Sequence, residues 1–198
     1  MTKRLLTLMA LLALSACGGS NQTAGGGSPS PTAPTPSASA NANLDPCQLV
    51  TQQEASQLAG VSFGAGTEQT ISSGAKMCVY GGKTLNVFTV EVAVAADVAT
   101  AQAAWAQEEA QAQAGMQQLV AQSGASVTLS AGEITLPGAD KAATAIASGN
   151  IQGQTLNISA IYVLKGAVFF TFADLALGKP APPASAMAAQ AETVLTRV

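Results

Sequence analysis

Across residues 85–94 apolar and polar side chains alternate: Phe88, Val90, Val92 and Val94 share one face with Asn86 as its polar member, while Thr89 and Glu91 take the other. Period-two alternation marks a strand with one face buried, usually in an antiparallel sheet. The rhythm returns in Ala142, Thr144 and Ile146, in Leu156, Ile158, Ala160, Tyr162 and Leu164, and in Val168, Phe170 and Phe172. Lys165-Gly166 fits a tight hairpin turn between the last two strands. Phe169 points to the opposite side, which implies that the second face is covered too. Shorter extended stretches are expected at 77–80, 126–129 and 133–136, with a Gly-rich loop and a brief strand over 61–70.

A helical rhythm appears in three places. Thr51 and Glu54 have capping-box spacing, with Ala55, Leu58 and Ala59 on one side and Gly60 as a stop, so a short helix is expected over about 48–59. Residues 97–122 predict a long helix capped by Asp97, with Val98, Ala101, Trp105, Ala112, Met116 and Leu119 as its apolar stripe. Glu109 falls inside that stripe, so its carboxylate must snorkel outward, sit where the helix leaves the sheet, or pair with Lys141 or Lys165. After a break at 178–183, a last amphipathic helix carries Met187, Ala191, Val194, Leu195 and Val198. The order α-β-β-α-β-β-β-α, with hairpin-linked strands, predicts an α+β fold: an antiparallel sheet with amphipathic helices packed on it.

The first 43 residues follow neither rhythm. Lys3 and Arg4 precede an apolar run, residues 5–14, and Ser15-Ala16-Cys17 follows it. A charged start, a short apolar stretch and small residues describe a secretory signal. The run is about half the roughly 20 residues needed to span a bilayer, which favours cleavage over anchoring. With the cysteine directly after Ser15-Ala16, the segment resembles the bacterial lipoprotein signal, or lipobox. That resemblance implies removal of residues 1–16 and acylation of Cys17 (a palmitate-type anchor) as the new N-terminus. A secretory signal with a chance cysteine, and an uncleaved anchor, are the alternatives. Residues 18–43 are Gly, Ser, Pro, Thr, Ala, Asn and Gln without a charge or a large apolar side chain, too little to offset ordering entropy. With Cys17 they form a disordered tether, reaching roughly 28 Å as a coil and roughly 80 Å when stretched. Residues 44–198 then make a single globular domain.

Charge removes one class of partner. From Cys17 onward six basic residues stand against eleven acidic ones, a net −5, with no electrostatic footprint for nucleic acid. Once Cys17 is set aside, Cys47 and Cys78 remain. Outside the cytoplasm an even pair reads as a disulfide, worth roughly 3–4 kcal/mol on the chain-entropy model, with two buried thiols as the alternative.

Taken together, the lipobox, the Ser/Thr/Pro/Gly tether, Asp45-Pro46-Cys47, the Glu-Ala helix ending at Gly60 and Cys78-Val79-Tyr80 resemble a family of actinobacterial surface lipoproteins. The domain of that family has no assigned function, so the resemblance brings no catalytic residues with it.

Candidate chemistry is sparse. The chain has no histidine, which excludes Ser-His-Asp and Cys-His nucleophile systems and any His-ligated zinc. Glu108 and Glu109 are adjacent on a helix and diverge by about 100°, so they do not form an acid/base pair. Asp97, Asp140 and Asp174 fall near expected element ends, where caps and turns explain them. No metal or cofactor site is expected. Asn157-Ile158-Ser159 matches a glycosylation sequon in mid-strand. The leading expectation is a noncatalytic binding or interaction module, a monomeric domain held at the outer face of the cell membrane, with a protein, glycan or lipid ligand. The alternative is a carrier of an apolar small molecule or lipid in a pocket between the long helix and the sheet, lined by Trp105, Phe169, Phe170 and Phe172. A carboxylate-dependent hydrolase is the third.

Overall fold

A computed structural model describes residues 44–71, 73–81, 86–107, 128–151 and 153–198. Cys17, the tether, Glu108, Glu109 and the stripe residues Ala112, Met116 and Leu119 lie outside the described residues. The fold is α+β: among the described residues, seven antiparallel strands form one sheet, with helices on it.

The strands are β1 (Thr67–Thr70), β2 (Lys76–Gly81), β3 (Val87–Val94), β4 (Thr128–Ile134), β5 (Lys141–Ile151), β6 (Gln154–Lys165) and β7 (Val168–Leu177). Their spatial order is β1-β2-β3-β7-β6-β5-β4. Two meanders, β1 to β3 and β4 to β7, are therefore joined where β7 returns to β3, from Val87↔Leu175 to Val94↔Val168. The β6–β7 turn is Gly166-Ala167, and Gly166 at φ 58° takes the left-handed conformation that a two-residue hairpin demands.

Two helices stand where one was expected over 48–59: α1 (Pro46–Leu49) and α2 (Gln52–Ala59). Asp45 accepts from the Cys47 N–H at 2.8 Å and Pro46 opens α1, so this turn carries its own start signal. Val50 is extended at φ −127°, and Thr51 then caps a new helix through a complete capping box with Glu54. Residues 98–107 form α3, at the start of the stretch expected to be a long helix; the Thr100 N–H donates to Asp97 at 2.7 Å, so Asp97 caps it as expected. The last helix is α4 (Ala184–Leu195), and its stripe Met187, Ala191, Val194 and Leu195 is buried.

Alternation sorts the sheet into two faces. One carries Cys78, Tyr80, Phe88, Val90, Val92, Ile161, Val163, Phe170 and Phe172, and is covered by α1, α2 and α4 in the main core. The other carries Leu164, Tyr162, Phe169 and Ala143, on which Ala101 and Trp105 of α3 pack in a smaller cluster. Phe169 thus marks a covered second face, as its position implied. Val94 and Val98, at the end of β3 and the start of α3, are 39% and 46% exposed, because both sit where the helix turns away from the strand. In place of two short stretches at 126–129 and 133–136, β4 runs unbroken through Ser130, Ala131 and Gly132.

Candidate functional site

Among the described residues, three places combine buried surface with polar chemistry. The first surrounds the disulfide. Cys47 of α1 and Cys78 of β2 are bonded, Cα to Cα 5.1 Å, across a separation of 31 residues. The Tyr80 hydroxyl beside it donates to the carbonyls of Cys47 (3.0 Å) and Val50 (2.5 Å), the two acceptors sharing its single proton. Burial, with Asp45 and Glu54 nearby, pushes the Tyr80 hydroxyl up to about 12, so it stays a donor. Gly66 lies against this pair: a Cβ there would overlap Cys78 Sγ and come within 2.6 Å of the Tyr80 ring. With the Tyr80 hydroxyl and the Cys47 and Val50 carbonyls bonded to one another, this place is a structural clasp.

The second place is the interface between α3 and the sheet. Trp105 meets Phe169 edge to face, with centroids 5.9 Å apart. Trp105 Nε1 and Thr171 Oγ1, buried on that face, find no hydrogen-bond partner among the described residues. Phe170 and Phe172 lie on the opposite face, stacked on each other at 6.2 Å, with Phe172 also against Phe88 at 6.2 Å. The four aromatics therefore do not meet: of the expected lining, only Trp105 and Phe169 face the space between α3 and the sheet. Period two makes this inevitable, since Phe169 and Phe170 are neighbours on one strand.

The third place is one that sequence reasoning missed. Asp174 is not at an element end; it sits inside β7, directly opposite Phe88 on one side and Ser159 on the other. Continuing Val168, Phe170 and Phe172 by two more residues places Asp174 in the inward set, and that was the available signal. It is fully buried, Ser159 is 1% exposed, and Asp174 Oδ1, Oδ2 and Ser159 Oγ find no hydrogen-bond partner among the described residues. Burial raises the Asp174 carboxyl to about 6, against the partial pull of the Lys179 ammonium.

The chain beyond β7 holds this pair in place. The Gly178 N–H donates to the Thr155 carbonyl at 2.7 Å, and the Lys179 carbonyl accepts from Asn157 Nδ2 at 2.7 Å. Asn157 Oδ1 in turn accepts from Ser148 at 2.6 Å, so the sequon side chain is committed to internal bonds. Lys179 Nζ donates to the Ala59 carbonyl at the end of α2, 2.5 Å away, a favourable place for a cation. Asn86, the polar member of the β3 face, accepts from the Leu177 N–H at 3.0 Å. An acid with a near-neutral set point, beside a hydroxyl and closed off from solvent, is equipped to hold a proton.

Asp140 behaves as a turn residue, accepting from the Gly166 N–H at 2.6 Å, as its position near an element end suggested. Glu109 lies outside the described residues; of its two expected partners, Lys141 and Lys165, Lys165 donates to the Leu195 and Val198 carbonyls at 2.9 and 2.7 Å and so caps α4. Among the described residues no three His, Cys, Asp or Glu side chains gather as a metal site would require, and no helix is long and apolar enough to cross a membrane. The chain matches no protein-family model and no curated protein.

Proposed function

We propose that this protein is a membrane-anchored extracytoplasmic lipoprotein, a member of the actinobacterial surface family that its motifs resemble. Residues 1–16 act as the signal, Cys17 carries the acyl anchor, residues 18–43 serve as the tether, and residues 44–198 form a noncatalytic binding or interaction module. The observation that carries the reading is the use of the three cysteines. The Cys47–Cys78 disulfide leaves Cys17 as the remaining cysteine, placed just after a charged and apolar leader. A disulfide of this kind persists in oxidising compartments and is rare in the cytosol, which supports an export signal. The noncatalytic part of the reading is supported by the absence of histidine from the chain and by the enclosure of Asp174 and Ser159.

The test is Cys17→Ala in the natural host, followed by membrane fractionation and intact mass. The variant is expected to leave the membrane fraction or accumulate as precursor, and the native protein to carry a diacylated or triacylated residue 17 at its N-terminus. Unchanged membrane retention with normal processing, or a mature chain that begins elsewhere, overturns the anchor. The ligand is sought by pull-down of the whole mature protein from envelope extract, read for both proteins and lipids.

A further inference from the structure

The sheet has two edges, and they are guarded very differently. At one edge β1 is four residues long, all polar and exposed, and its Glu68 approaches Lys76 of β2 at 3.9 Å. Shortness and charge are how natural sheets keep an edge from pairing. At the other edge β4 is seven residues long and pairs with β5 from Thr128↔Ser148 to Ile134↔Ala142 without a bulge. It contains neither Lys nor Pro. Its side chains are exposed on both faces, with only Leu129 and Ile134 partly covered. No strand lies beyond it among the described residues.

We propose that β4 is an interaction surface for a second copy of this chain, in place of the monomeric domain expected from sequence. The two β4 strands pair antiparallel about a two-fold axis at Ala131, joining both sheets into one.

The sequence of β4 suits this register. With Ala131 opposite itself, Ser130 faces Gly132, Leu129 faces Glu133 and Thr128 faces Ile134 of the second copy. The single charge of the strand, Glu133, thus meets an apolar side chain and never its own equivalent. Small residues at 130–132 leave the centre of the contact free of steric conflict. Such an axis stands perpendicular to the sheet, because opposed residues in an antiparallel pair point to the same face. It therefore keeps the faces that bear α1, α2 and α4 on the same side in both copies. α1 packs on that face, so the chain entering at Leu44 does so from the same side in both copies. This arrangement suits two copies anchored in one membrane, and to that extent the inference rests on the proposed Cys17 anchor. A seven-residue edge buries less than the roughly 1,200 Å² at which stable complexes begin. The pairing is accordingly weak in solution and draws on confinement in the membrane to raise the effective concentration. A foreign extended peptide would use the same edge without needing the self-complementary register.

The experiment uses the full-length chain in its own membrane. Ala131→Cys adds a thiol on the axis, where opposed Cα atoms are about 4.5–5.5 Å apart and within disulfide range. Gln69→Cys, exposed on β1, is the control. After mild oxidation and non-reducing electrophoresis, Ala131→Cys is expected to give a disulfide-linked homodimer at least tenfold above the control. Ala131→Lys, which opposes two ammonium groups at an exposed position, is expected to abolish chemical cross-linking between differently tagged copies while the melting temperature stays within a few degrees. Equal cross-linking of Ala131→Cys and Gln69→Cys overturns the inference, as does capture of Ala131→Cys by a different protein. Fractionation of the same samples separates the two readings. Cross-linked but soluble protein sinks the anchor, and with it the reliance on confinement, but keeps the pairing; membrane-bound but uncross-linked protein sinks the pairing alone.

Discussion

Asp174 and Lys179 lie close enough for the ammonium to steady the carboxylate, yet the ammonium donates to the Ala59 carbonyl and the Asp174 oxygens accept no hydrogen bond among the described residues. A buried, unbonded carboxylate opposes folding whenever it is ionised. With its carboxyl raised from the usual 3.8 to about 6, the native state holds the proton more tightly than the unfolded chain. The stabilisation is complete below about pH 4, is lost as pH rises to about 6, and does not change further above that. Asp174→Asn is expected to gain about 1–3 kcal/mol at pH 7.5 and almost nothing at pH 4. Urea unfolding of both proteins at the two pH values checks this. No gain at pH 7.5 would mean that the carboxylate has found a cation.

Glu54 and Arg197 run the opposite way. Arg197 grips both Glu54 oxygens, at 2.9 and 2.5 Å, and also donates to the Leu49 carbonyl at 2.6 Å. That guanidinium holds the Glu54 carboxyl down at about 2, with bonds from Thr51 assisting. Its contribution is present above about pH 4.5 and fades as pH falls towards 2. The pair is partly open to solvent, so Arg197→Ala is expected to cost only about 1–2 kcal/mol at neutral pH, and less in high salt. Thermal melts at low and high ionic strength give the measurement.

The disulfide should matter more than either. Cys78→Ala is expected to cost about 3–4 kcal/mol in oxidising buffer. Reductant should bring the native protein down to meet the variant. If reductant does not move the native melting point, the bond is not formed in solution.

Around that bond the geometry leaves little freedom. Tyr80→Phe removes the proton shared by two carbonyls and is expected to cost about 1–3 kcal/mol. Gly66→Ala forces a Cβ into Cys78 Sγ and the Tyr80 ring, so it should destabilise by at least about 2 kcal/mol, although alanine is ordinarily the milder residue. Comparing both variants with and without reductant shows whether the strain at Gly66 needs the disulfide.

Much of the fold was legible because burial imposes a period on the chain. β3, β6 and β7 show period two over long runs, and the hairpin at Gly166 follows from its glycine. β1 falls within 61–70, where a brief strand was expected, but its bounds were hard to read, since an edge strand with every side chain in water has no alternation to betray it. The split between α1 and α2 was written in the residues: a capping box at Thr51 starts a helix there and cannot lie within one. Asp174 escaped notice because a lone acid suggests a cap, although the alternation of β7 runs straight through it. Strand order was beyond reach, as the return of β7 to β3 is a tertiary pairing that no local pattern encodes.

Where the chain enters this domain has a mechanical consequence. Cys47 lies just inside Leu44 and is covalently joined to β2, which is hydrogen-bonded to strands on both sides. A pull from the N-terminal side is passed to the sheet almost as soon as it arrives, without first peeling α2 or prising at its caps. The bond acts as a strain relief, and drag on the domain loads seven interlocked strands in place of one short helix.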